Sequence, residues 1–205
     1  MQETLVLLLT LLYPWFHTST TSVSLHFTIY ETKQELESTS LKTAETLVHA
    51  FITSKLDHCN SVLFGLPKNL IDKLQAVQNA AARLISLTRK HDHITPVLID
   101  LHWLPVADRI KFKFLLLTFK ALHGLAPIYI QELITTYKPP RTLRSSSHLF
   151  LATKLYNLKS YGLPSFSVSA PLLWNSMPSS IRDANNISSF KSQLKSYLFK
   201  LAYKL

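Results

Sequence analysis

Cysteine occurs once, as Cys59, which excludes an intramolecular disulfide framework and any zinc site built on several thiolates. Glycine occurs three times, at the isolated positions Gly65, Gly124 and Gly162. Phosphate-cradling loops and dinucleotide fingerprints need clustered glycines so that backbone can close on a phosphate, so both are excluded. Acidic side chains number 12 against 22 basic ones, and none of the six aspartates (Asp57, Asp72, Asp92, Asp100, Asp108, Asp183) adjoins another. Nucleotidyl transfer on two magnesium ions needs carboxylates gathered together, and no paired-aspartate motif is present. No Gly-x-Ser-x-Gly elbow presents a nucleophile. Charged residues are also scarce, at 17%, below the ~25% of ordinary soluble domains. Hydrophobic residues make up 47%, which excludes a chain kept unfolded by polarity.

What charge there is falls unevenly. Two lysines against five glutamates leave residues 1–45 at −3, while 20 basic and 7 acidic side chains leave the remainder at +13. A basic body of low total charge points to a polyanionic partner, with plain solubility charge as the bland alternative. The most apolar run, Leu5 to Phe16, contains Pro14 and is too short to cross a ~30 Å hydrocarbon layer as a helix. Its length suits a secretory signal over residues 1–22, but no Lys or Arg precedes it. An intracellular location, cytoplasmic or nuclear, is therefore the expectation, and membrane contact requires residues 5–16 to act as a signal. Residues 18–43 read as a linker rich in Ser, Thr and Glu.

Helical periodicity dominates the rest. Leu47, Phe51 and Leu56, with Val48 and Ile52 beside them, predict an amphipathic helix over 44–56. After the turn Gly65-Leu66-Pro67, Asn69 is the expected N-cap of a second helix, with Asp72 in its first turn. Its stripe is Leu70, Leu74, Val77, Ala81 and Leu84, broadened by Ile71 and Ile85. Ala80, Ala81 and Ala82 would let another helix come close. A third helix, from about Ala107 to His123, is apolar almost all round and hence central, with Gly124 and Pro127 ending it. Its polar stripe carries Arg109, Lys113 and Lys120, within about 40° of one another. A fourth helix is expected from Pro127 through Tyr137. The loop that follows holds Arg141 and Arg144, and residues 149–174 read as extended or irregular, with alternation at Phe166 and Val168. In the last helix, capped by Ser188 or Ser189, Phe190, Leu194, Tyr197, Leu198 and Leu201 face inward and Lys191 and Lys195 outward. The expected fold is mainly α: a small helical bundle with an irregular segment near 149–174 and no independent catalytic palm.

Histidines raise one further possibility. His91, His93 and His102, or His58 beside Cys59, invite a metal reading, but their spacing lacks the recurring ligand pattern of zinc sites. A polar turn accounts for Asp92 between two histidines, and Cys59 suits a small buried hydrophobe. No metal, cofactor or small-molecule substrate is expected.

Several strings, taken in order, point further: LVHAFITSKLDHCNSVLFGLP, KLQAVQNAAARLI, HDHITPVLIDLHWLPVADRIKFKFLLLTFKALHGLAP, LRSSS, and FSVSAPLLWNSMPSSIR followed by SFKSQLKSYLF. From about Leu41 to Lys204 the chain resembles the C-terminal, post-catalytic part of a LINE-type (non-long-terminal-repeat) retrotransposon reverse transcriptase. In that family the metal-binding Tyr/Phe-Ala-Asp-Asp motif lies on the N-terminal side of this region. Here residues 1–40 carry no such motif, so the resemblance implies a thumb-like helical region (41–205) joined to an unrelated leader (1–40), truncated or chimeric, and not an enzyme. No catalytic residue carries over. A thumb packs on the palm and holds primer–template by its backbone, which makes sequence-independent RNA or DNA the expected partner, through Arg109, Lys113, Lys120, Arg141, Arg144, Lys191 and Lys195. Trp103, Trp174 and Tyr161 are candidates for base stacking, with core or palm-facing packing as the plainer role. A protein partner at exposed apolar faces is the alternative.

Overall fold

The computed structural model describes residues 45–46, 48–57, 60–137, 149–155 and 164–205. A π-helical turn over His49–Thr53 runs into α1 (Ser54–Asp57), and a 3-10 turn follows over Asn60–Leu63. The remaining helices are α2 (Lys68–Ser86), α3 (Thr95–Asp100), α4 (Val106–Leu122), α5 (Ile128–Gln131), α6 (Phe166–Ser176), α7 (Ser179–Arg182) and α8 (Ile187–Tyr203). Among the described residues the one β-type pairing is an isolated antiparallel bridge between Thr136 and Leu151. The protein is a mainly α, small helical bundle.

Helix α4 is its axis. Ile110, Phe114, Leu115, Leu116, Thr118, Phe119 and Ala121 are all buried, on nearly every side of the cylinder. One flank packs against α8, α6 and α7, where Phe119 stacks on Phe190 with ring centroids 4.3 Å apart and Trp174 closes the cluster. The Trp174 indole donates to the Leu149 carbonyl at 2.9 Å, so the buried ring keeps its polar atom satisfied. The other flank meets the N-terminal turns and α2: Val106 and Ile110 bury against Leu56, Leu63 and Leu74. Ala81 and Ala82 lie buried with Val48, Leu98 and Trp103, the close approach that their small side chains permit.

Helix ends follow local chemistry. Gly124 (φ +69°) ends α4, where Leu125 N–H reaches the Lys120 carbonyl and Gly124 N–H that of Ala121, a Schellman pair. The same two-bond pattern ends α3, with His102 (φ +53°) in the left-handed position and Trp103 N–H donating to Leu98.

Six expectations need correction. Pro67, not Asn69, precedes α2 and no side chain caps it; Asn69 and Asp72 lie inside the helix. Val77 is only half-buried, and the fully buried member of that turn is Gln78, whose amide donates to the Leu104 carbonyl at 2.8 Å. The helix after Pro127 lasts a single turn, because Thr135 and Tyr137 exchange backbone bonds with Ala152 and Phe150. Residues 149–155 are indeed irregular, but Phe166–Ser176 is helical, its hydrophobic burial carrying Pro171 inside the helix. Finally, α8 is capped by Asn186, whose side chain accepts from Ser189 N–H at 2.7 Å, and Leu201 is exposed.

Candidate nucleic-acid interface

Position along α4 separates its three cationic candidates. Arg109 lies one turn into the helix, within reach of both the preceding loop and α1. Its Nη1 lies 3.0 Å from both carboxylate oxygens of Asp57, its Nε donates to the Leu104 carbonyl at 3.1 Å, and its guanidinium lies 6.0 Å from the Trp103 ring centre. The side chain is only 13% exposed. Arg109 therefore ties α1 to α4, with much of its donor capacity already used. Lys111 is engaged too, donating to Asp108 at 2.9 Å. Lys113 is exposed and Lys120 half-buried, and neither is in an ion pair among the described residues.

Helix α8 supplies the cleaner cationic surface. Phe190, Leu194 and Leu198 form its buried face, which leaves Lys191, Lys195 and Lys200 exposed. From residue 184 to the last residue there is no Asp or Glu, so none of these lysines has an acidic side chain as a neighbour along the helix. Lys120 and Lys191 each directly follow a ring of the stacked Phe119–Phe190 pair, so the two helices that carry them are in contact at that level. Lys200 and Lys204 were not among the sequence candidates; the absence of acid after Asp183 is the signal that marks them. Arg141, Arg144 and Tyr161 lie outside the described residues, as do His58 and Cys59.

Trp103 and Trp174 are core residues. Trp174 is fully buried and Trp103 nearly so, and neither offers a ring face to a base. The Trp103 carbonyl accepts a 2.6 Å hydrogen bond from the Tyr203 hydroxyl. Burial, reinforced by Asp108 and opposed by Arg109, pushes the Tyr203 phenol up from 10.0 to about 12. His102 stacks on Phe199, with centroids 5.9 Å apart, while His91 and His93 are exposed. Among the described residues no three His, Cys, Asp or Glu side chains gather as a metal site, and no helix is long and apolar enough to cross a membrane.

A second surface has the opposite character. Leu125, Ile128, Tyr129, Leu133 and Tyr137 are exposed within thirteen residues that carry no Lys or Arg and one acid, Glu132. No family model, curated protein or solved structure matches the chain.

Proposed function

We propose that this chain is a reverse-transcriptase-like helical module of the LINE type that holds RNA or DNA by its phosphate backbone and does not itself polymerise. One observation carries the binding half of this reading: the exposed lysines of α8, on a stretch of chain without a single Asp or Glu. Cations on a rigid helix meet phosphates with little regard to base sequence, because the charge they read is the same at every nucleotide. The motif strings from LVHAFITSKLDHC to SFKSQLKSYLF support the lineage, and the lack of a paired-aspartate motif supports the lack of polymerisation. The test is affinity for a labelled RNA–DNA duplex before and after Lys191→Gln, Lys195→Gln and Lys200→Gln together. The reading expects uniformly weaker binding to all sequences; unchanged affinity would assign these lysines to solvation.

The apolar strip from Leu125 to Tyr137 favours a second reading, in which this face meets another protein, as a thumb meets its palm. Self-association that disappears when the strip is made polar, in a chain without affinity for nucleic acid, would favour it over the first.

A further inference from the structure

The described chain begins beside the end of α8. Val48 packs in the cluster that Tyr203 joins, His49 meets the Trp103 ring edge-on at 5.6 Å, and Tyr203 donates to the Trp103 carbonyl. The first described residues therefore lie close to the C-terminal turn of α8. That preceding stretch, residues 31–37, reads ETKQELE and carries Glu31, Glu35 and Glu37 against one lysine. The acidic part of the sequence is thus joined, within eight residues of Glu37, to a point near the most uniformly basic helix.

The dimensions agree. From Glu45 back to Glu37 is eight residues, a reach of up to ~26 Å when extended. Lys191 to Lys204 spans about 20 Å along the helix axis. At 100° per residue Lys191 and Lys195 lie together on one side of the exposed arc and Lys200 on the other, with the exposed Ser192 and Ser196 between them. A segment laid along that arc from the Tyr203 end would run over two small side chains with lysines on either hand. Held on the same chain, it acts at an effective concentration in the millimolar range, which compensates for the weakness of each exposed ion pair.

We infer that residues 31–37 dock on the lysine-flanked face of α8, occupying intramolecularly the cations that would otherwise hold phosphate. The docking stands on charge and position alone; the competition with nucleic acid rests on the function proposed above. Zero-length carbodiimide coupling of the full-length monomer at low salt tests the docking, since it links a carboxylate to an amine only in direct contact. The Asp108–Lys111 pair, at 2.9 Å, is the internal positive control. Links from Glu31, Glu35 or Glu37 to Lys191, Lys195 or Lys200, suppressed by salt, are expected; the control link without any of these would overturn the docking. In parallel, Glu31→Gln, Glu35→Gln and Glu37→Gln together should tighten binding of a labelled RNA–DNA duplex by about threefold at low salt. Links with equal affinity for both proteins would overturn the competition. Links with no duplex binding by either protein would overturn the proposed function while upholding the docking.

Discussion

Arg109 and Asp57 are 52 residues apart in sequence, and a single guanidinium nitrogen lies 3.0 Å from both oxygens of the carboxylate. The contact fastens the short N-terminal turns to the central helix, and the Nε bond to the Leu104 carbonyl fixes the arginine on its other edge. Asp57 is 46% exposed, so solvent screens the pair. A double-mutant cycle with Asp57→Asn and Arg109→Gln should give a coupling of about 0.5–1 kcal/mol by urea unfolding. Because Arg109 is already engaged, Arg109→Gln alone should shift the unfolding midpoint more than it changes affinity for nucleic acid.

Gly65 cannot take a side chain. Its φ is +81°, and a Cβ there would lie 2.4 Å from the Cβ of Pro164. Gly65→Ala should cost about 2 kcal/mol, from left-handed backbone and overpacking together. Thermal unfolding of the variant checks it; an unchanged Tm would show that the Gly65–Pro164 contact gives way freely.

The two faces of α8 should respond in opposite ways. Phe190 is fully buried between Phe119 and Trp174, so Phe190→Ala should lose about 3–5 kcal/mol. Lys191→Gln, on the next residue but exposed, should stay within about 0.5 kcal/mol of the parent. Chemical denaturation followed by circular dichroism reads both.

The helices that carry the framework were legible because burial and periodicity coincide. Ile110, Phe114, Phe119 and Ala121 on α4, and Phe190, Leu194 and Leu198 on α8, mark their own faces. Where tertiary contacts override the local pattern, the sequence misleads. The alternation at Phe166 and Val168, with Pro171 following, suggests extended chain, yet burial of Val168, Ala170 and Trp174 selects a helix. The stretch after Gln131 could have continued as helix, but Thr135 and Tyr137 pair with a strand-like segment that no local signal announces. At the candidate site the exposure of Lys191 and Lys195 is readable from spacing, while Lys200 is marked only by the lack of Asp and Glu around it. The engagement of Arg109 is not readable, since Asp57 reaches it only through the fold.

Alkaline stability should depend on Tyr203. Its folded pKa lies near 12, above the ordinary 10.0, because burial disfavours the phenolate. The folded state holds this proton more tightly than the unfolded chain does, so its contribution is complete below pH 10.0 and is lost as pH rises toward about 12. Tyr203→Phe should remove that part of the slope of stability with pH in this window. An identical slope in the variant would show that Tyr203 ionises as freely folded as unfolded.

The exposed strip is a separable liability. Ile128→Glu with Tyr129→Glu changes two residues that are exposed and lie outside every core cluster. Their replacement should leave Tm nearly unchanged while reducing self-association by sedimentation. A fall in Tm would instead place both side chains in the fold.

The most direct test of the account is the salt dependence of binding. The folded, full-length chain is titrated against a labelled RNA–DNA duplex and a single strand across roughly 50 to 200 mM salt, beside a variant with Lys113, Lys120, Lys191 and Lys195 replaced by Gln. Backbone binding predicts a linear fall of log affinity with log salt for both ligands. With four lysines removed, the variant should show a slope for the duplex shallower by up to about 3.6 units, at about 0.9 per lost phosphate contact. Equal slopes for parent and variant, or no binding by a folded and monodisperse parent, would contradict it.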